Sequence, residues 1–200
     1  METEAGTMDN GTLHMELLAT LGIRNLHAVF GRGARGETLA KGGYACDVLS
    51  AVRDAGFGRI IDLRTADHSE RFATRCTKAG LEYHHIPMDA RTLPPAALHK
   101  TLPLLFSLLD GKGFYISCQQ GLHRTDIALA LYYFFHDSRS VPMMIGHRSK
   151  GFLRCDDIMC RVNAMRIFFP EISEVDFMAR KKRFLSDNRN FDSESAHEHR

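Results

Sequence analysis

Apolar residues along this chain fall into two patterns, short near-continuous runs and longer stretches with helical spacing. The runs His27-Ala28-Val29-Phe30, Arg59 to Leu63, Glu82 to Met88 and Phe114 to Ser117 are expected to be strands, the first ended by the glycines at 31, 33 and 36. Between them the spacing turns helical. Tyr44, Val48, Leu49 and Val52 share one face of a helix over 44–55, with Gly56 as its cap. Asp67 to Ala79 reads as a helix stopped by Gly80. Pro94-Pro95 opens another, whose stripe is Leu98, Leu102, Leu105 and Leu109; Pro103 is expected to kink it or to mark its true start. Asp110 to Gly113 is a turn. Ile127 to Phe135 is apolar on every side, which puts the helix over 124–136 at the centre of the core. Further helices are expected over 156–169 and 172–185, and a short one over 15–21.

Strands alternating with helices of these lengths predict an α/β fold, a mostly parallel central sheet flanked by helices. No repeat and no Pro/Gly/Ser-rich linker divides the middle of the chain. One domain over 25–187 is expected, preceded by a flexible segment or short helix over 1–24 and followed by a flexible tail over 188–200.

Composition removes several classes of function. At 44% apolar, the 200 residues can bury a real core, so a wholly disordered chain is excluded. The 26 basic residues against 24 acidic ones give +2, no electrostatic case for nucleic acid as partner. The longest apolar run, Ile127 to Phe135, is too short for a membrane-spanning helix. Met1 to Gly6 carries acids where a signal peptide needs basic residues, so a cytoplasmic location is expected. The odd set Cys46, Cys76, Cys118, Cys155 and Cys160 suits reduced thiols, and no Cys/His cluster has zinc spacing. No metal or other cofactor is expected.

The chemistry concentrates in Cys118-Gln119-Gln120-Gly121-Leu122-His123-Arg124-Thr125, between a short strand and the buried helix. The spacing is Cys-x5-Arg followed by a hydroxyl residue. A loop placed there gathers backbone N–H groups into a nest at a helix N-terminus, which suits an oxyanion of phosphate size. Gly121 lets the loop turn left-handed. Arg124 offers a two-pronged guanidinium to two phosphate oxygens. Among such donors the Cys118 thiol is expected to ionise readily and act as a nucleophile, and Thr125 to donate its hydroxyl to that sulfur when it leaves.

This segment resembles the signature of the cysteine-dependent protein tyrosine and dual-specificity phosphatases. The resemblance extends to Ile60-Ile61-Asp62-Leu63-Arg64, Glu70, Gly80-Leu81-Glu82-Tyr83, Ile86-Pro87-Met88 and Leu108-Leu109-Asp110, in that family's order. Phe30-Gly31-Arg32 and the Gly-x-His-Arg-Thr of the loop are similar to the atypical plant-and-fungal dual-specificity branch, some of whose members act on inositol pyrophosphates. The resemblance covers roughly residues 25 to 140. It implies a dual-specificity phosphatase-like fold and hydrolysis of a phosphorylated protein or an inositol phosphate through a cysteinyl-phosphate. Cys118 would be the nucleophile. Arg124 and the amides from Gln119 to Arg124 would hold the phosphoryl oxygens. Asp89, on the loop after the strand over 82–88, would be the general acid, with Asp62 the second choice and more a structural partner. Asp110 precedes its strand and belongs at the opposite edge.

Two positions depart from the family pattern. Ser117 stands where His is usual, and Asp126 where Gly is common. The Asp126 carboxylate either faces the site, where it would raise the thiol pKa or repel an anion, or points away as an ordinary first-turn acid. A rhodanese-like sulfurtransferase and a non-catalytic phosphate-binding module are the rival readings.

Other features carry weaker signals. Gly31 to Gly36 matches GxGxxG, and Asp54 lies about where a ribose-binding acid would be, but at the end of a helix pattern. Arg180 to Arg183 reads as a solvated face. Arg148, Lys150 and Arg154 would meet extra phosphates if their connection folds over the site, and are otherwise surface. His84-His85 reads as one ring in and one out. Cys155 and Cys160 share no helical face well, and Cys76 or Cys46 is a conceivable redox partner for Cys118.

Overall fold

Packing of the apolar runs against the helical stripes produces a sheet covered by helices on both faces. The structure, a computed structural model, describes residues 10–41, 47–65, 69–88, 94–111, 113–138 and 155–194. Its elements are α1 (Asn10–Ala19), β1 (His27–Val29), β2 (Gly33–Glu37), α2 (Val48–Asp54), β3 (Arg59–Asp62), α3 (Ser69–Lys78) and β4 (Glu82–His85). Then follow α4 (Pro95–Asp110), β5 (Phe114–Cys118), α5 (His123–Phe135), α6 (Cys155–Met165), a 3-10 turn over Arg166–Phe168, and α7 (Glu174–Glu194). The sheet has five strands in the order β1-β2-β5-β3-β4. Only β1 is antiparallel, to β2; the other pairings are parallel.

Alternation along the strands splits the core in two. Ile61 and Ile116 join the stripe of α4, Ile127 to Phe135 of α5, and residues of α6 and α7 such as Ile158, Val162, Phe177 and Phe184. Ile60 and Tyr115 face the other way, onto Leu18 of α1, Val48, Leu49 and Val52 of α2, and Phe72 and Cys76 of α3. Ile127 to Phe135 of α5 is buried throughout, as its all-apolar pattern predicts, and so are the polar Thr125 and Asp126 before it.

One element departs from the sequence reading. Gly33–Glu37, read as the glycine-rich end of a strand, is itself a strand next to the central one. Gly, Arg and Glu are poor strand formers, so no local pattern marks it. Its glycines are needed because the β5 aromatics pack over them. A Cβ at Gly33 would run into the Phe114 ring, and one at Gly36 into the Tyr115 hydroxyl. The last four residues of the GxGxxG match, Gly33 to Gly36, are therefore strand and not a dinucleotide loop.

Smaller differences concern element ends. α4 passes through Pro103 without a break, with Pro103 on its exposed face, where the carbonyl deprived of a donor can meet water. α2 starts at Val48, behind Asp47, whose side chain accepts the Leu49 N–H at 3.3 Å. β4 stops at His85, yet Ile86 N–H and Met88 N–H still donate to Asp62 and Leu63 carbonyls at 2.9 and 3.2 Å. α7 runs on to Glu194, since neither Gly nor Pro interrupts the polar stretch after Leu185.

Candidate active site

β5 delivers Cys118 to the C-terminal edge of the sheet, opposite Glu37 of β2; Ser117 lies opposite Gly36 of β2 and Asp62 of β3. Cys118 is 4% exposed. The chain turns back through Gln119 to Leu122 and enters α5 at His123. That reversal requires a left-handed residue, Gly121 at φ +70°, and a Cβ there would collide with the Gly36 carbonyl.

Every carbonyl of this turn is held from outside. Thr38 N–H donates to Gln119 O at 3.4 Å and Asn25 Nδ2 to Gln120 O at 2.9 Å. Arg35 donates to Gly121 O from Nε at 3.2 Å and from Nη2 at 2.5 Å, and Nη2 reaches Leu122 O at 3.4 Å. Leu122 O also accepts the Asp126 N–H at 2.7 Å. In a trans peptide the N–H points opposite to the C=O, so carbonyls turned outward aim the following amides inward. The amides of Gln119, Gln120, Gly121, Leu122 and Arg124 donate to no protein acceptor among the described residues. Leu122, at the N-cap of α5, supplies no side-chain cap. A ring of open donors at a helix N-terminus is an anion nest.

The side chains around the nest sort by partner. Arg124 is half-buried and forms no ion pair among the described residues. Ser117 and Thr125 are fully buried, and neither hydroxyl has a partner among those residues. Each is the kind of unmade hydrogen bond that a ligand or a thiolate would complete. Gln119 and Gln120 are exposed, Gly121 and Leu122 buried, and His123 half-buried.

For Asp126 the two placements resolve. Its carboxylate is fully buried and ion-paired to Nη1 of Arg35, whose side chain is 3% exposed. The pair lies on the side of the loop where Arg35 holds the carbonyls, away from the open amides. Burial pushes the Asp126 carboxyl up to about 6, against the pull of the Arg35 charge. Sequence reasoning missed Arg35, Asn25 and Glu37 as parts of this region. The available signal was an acid in the first turn of an all-buried helix, which demands a basic partner.

Charged residues on either side are engaged. Asp62, fully buried, takes Arg64 Nε and Nη2 at 2.9 and 2.6 Å, the Arg64 N–H at 3.0 Å and the Tyr83 hydroxyl at 2.8 Å. Both its oxygens are used, which makes it a structural partner. Glu37 takes Arg24 Nε at 3.1 Å and Nη2 at 2.7 Å. Burial would raise its carboxyl, but the Arg24 hydrogen bonds and charge, with Lys41, hold it below the usual range. His85 Nε2 meets Arg64 O at 2.7 Å and His84 Nε2 meets Glu82 at 3.4 Å, so the two rings form no metal pair. Cys76 lies on the opposite face of the sheet from Cys118, and burial pushes its thiol up to about 12, a poor redox partner. Asp110 sits at the other edge of the sheet, before β5. Asp89, Arg148, Lys150, Arg154 and Cys46 lie outside the described residues. No helix among those residues is long and apolar enough to cross a membrane.

No family model matches the chain, and no curated protein matches it. Among solved structures, a candidate phosphatase (DUF442) from Shewanella putrefaciens CN-32 aligns at a TM-score of 0.56 and 17% identity, over 78% of this chain and 98% of that one. The core catalytic domain of the PP-IP phosphatase SIW14 from S. cerevisiae aligns at a TM-score of 0.47 and 16% identity, over 84% and 94%. TpbA from P. aeruginosa aligns at 0.46 and 14%, over 75% and 86%. The first of these likenesses establishes the shared fold, a mostly parallel sheet flanked by helices.

Proposed function

We propose that this chain is a phosphatase of the protein tyrosine and dual-specificity type, hydrolysing phosphate monoesters through a cysteinyl-phosphate. The observation that carries the reading is the nest behind Cys118, with its carbonyls tied outward and with amides and a half-buried Arg124 that find no partner among the described residues. The shared fold with the DUF442 candidate phosphatase agrees with it.

In this mechanism the Cys118 thiolate attacks phosphorus and the phosphorus–oxygen ester bond breaks. Asp89 gives its proton to the leaving oxygen. The nest amides and Arg124 hold the equatorial oxygens, where charge accumulates. Water then attacks phosphorus, Asp89 takes its proton, and the phosphorus–sulfur bond breaks. The Thr125 hydroxyl donates to the departing sulfur. The pairing of Asp126 with Arg35 supports turnover, since it engages the carboxylate on the carbonyl side of the loop.

The test is hydrolysis of para-nitrophenyl phosphate from pH 5 to 8 with chelator present, for wild type and Cys118→Ser. Metal-independent turnover should fall about a thousandfold or more in the variant while tungstate binding persists. Wild-type turnover in Cys118→Ser would sink the mechanism. Folded wild type that binds tungstate without turnover would identify a binding module. An active enzyme goes forward to a screen of phosphopeptides against inositol polyphosphates and pyrophosphates.

A further inference from the structure

Arg35 makes three attachments with one planar group. Its guanidinium holds Gly121 O and Leu122 O, the last two carbonyls of the loop, and the Asp126 carboxylate of the first α5 turn. It reaches them from β2, where it stands opposite Ile116, two residues before Cys118. Strand, loop and helix are thus joined at one buried point. The peptide units that carry those carbonyls also carry the Leu122 and His123 N–H groups, so fixing the carbonyls fixes where these two donors aim.

A buried ion pair is an expensive way to gain stability, because both charges lose their water. Its geometry is what an apolar pair cannot reproduce. Lysine, a single point charge, cannot span the three acceptors either. Asp126 pairs with the fork and offsets its charge, whereas Arg124 has no ion-pair partner among the described residues.

We propose that Arg35 and Asp126 are a positioning pair, setting the inward aim of the loop amides and hence oxyanion affinity without touching the substrate. The proposal rests on the reading of the Cys118 loop as a phosphate site. Three variants test it, Arg35→Lys, Asp126→Asn and the double Arg35→Met/Asp126→Leu. Each is examined for thermal unfolding, tungstate affinity by calorimetry, and kcat and KM on para-nitrophenyl phosphate.

The folded double variant should bind tungstate about tenfold or more weakly and lose about a hundredfold in kcat. Arg35→Lys should lie nearer to it than to wild type. Asp126→Asn, which keeps an acceptor oxygen, should lie nearer to wild type. If the double variant does not fold, Arg35→Lys carries the test alone. An active wild type whose folded variants keep its tungstate affinity and kcat, with only the melting temperature lowered, overturns the proposal and leaves the phosphatase reading standing. A wild type that neither binds tungstate nor turns over overturns that reading first, and the pair's role with it.

Discussion

The two ends of β5 and α5 carry similar residues and treat them in opposite ways. At the N-terminal end of β5, Arg32 donates to Leu109 O at 2.9 Å and to the Tyr132 hydroxyl, and lies 3.8 Å from both Asp110 and Asp137. Tyr132 donates to Asp110 at 2.6 Å, and His136 Nε2 meets the same carboxylate at 2.7 Å. Arg180 Nη1 donates to Phe134 O at 2.5 Å. Each of these groups is answered by another group of the protein. At the C-terminal end Arg35 and Asp126 answer each other, but Arg124, two buried hydroxyls and the loop amides find no partner among the described residues. Among the described residues the open amides, the two hydroxyls and Arg124 are all donors, which is what an oxyanion needs. A cleft of about 550 Å³ opens at the first end, lined by Asp110, His136, Asp137, Ser138 and Arg180. A concave polar cleft is itself a candidate for a binding site. The state of its charges argues for scaffold instead.

The largest expected effect breaks the symmetry between the two unlike arginines. Arg124→Ala should cost about a thousandfold in kcat/KM and abolish tungstate binding, with the melting temperature unchanged or raised, because a half-buried charge with no ion-pair partner among the described residues is removed. Arg32→Ala should do the reverse, leaving turnover intact while removing about 1–2 kcal/mol of stability. Equal loss of turnover in both would erase the distinction drawn here. Next comes Gly121→Ala, which combines a left-handed backbone with a Cβ inside the Gly36 carbonyl. It should destabilise by about 2–4 kcal/mol in a urea titration and reduce oxyanion binding in whatever protein folds.

The same contrast marks what could be read from sequence. The surplus end was legible as a short motif, since Cys118, Gly121, Arg124 and Thr125 fall within eight consecutive residues and their chemistry depends on that spacing. α5 was legible because its apolar run admits no exposed face. The partners that make the site work were not. Arg35 is distant in sequence from Asp126, on a strand whose Gly-Ala-Arg-Gly-Glu pattern looks like a loop, and only the β5 aromatics explain its glycines. A strand defined by what packs over it carries no periodicity of its own. For the same reason the end of α7 was read short, because beyond Leu185 no apolar stripe marks its continuation.

The acids of the two ends differ as well, and their titrations have opposite signs. Asp126 is pushed from an ordinary 3.8 up to about 6 by burial, which outweighs the Arg35 charge. Between those values the folded protein keeps a proton that the unfolded chain has released. The stabilisation from this group is therefore full below about pH 4 and is lost as pH rises through about 6, by at most about 3 kcal/mol. At Asp110 burial also pushes upward, but hydrogen bonds from Tyr132 and His136 and the charges of His136 and Arg32 hold the carboxyl below its usual range. Its contribution is in place above the ordinary aspartate value and is lost as pH falls through the lowered one. With the side chain 47% exposed, solvent screening keeps that contribution under about 1 kcal/mol. Urea midpoints measured from pH 3 to 7 separate the two. Asp126→Asn should flatten the decline between pH 4 and 6 and leave the acid limb alone. Asp110→Asn should soften only the acid limb. If Asp126→Asn left the pH 4–6 slope unchanged, Asp126 would be ionised throughout that range. The two ends would then differ only in which cation lacks a partner among the described residues.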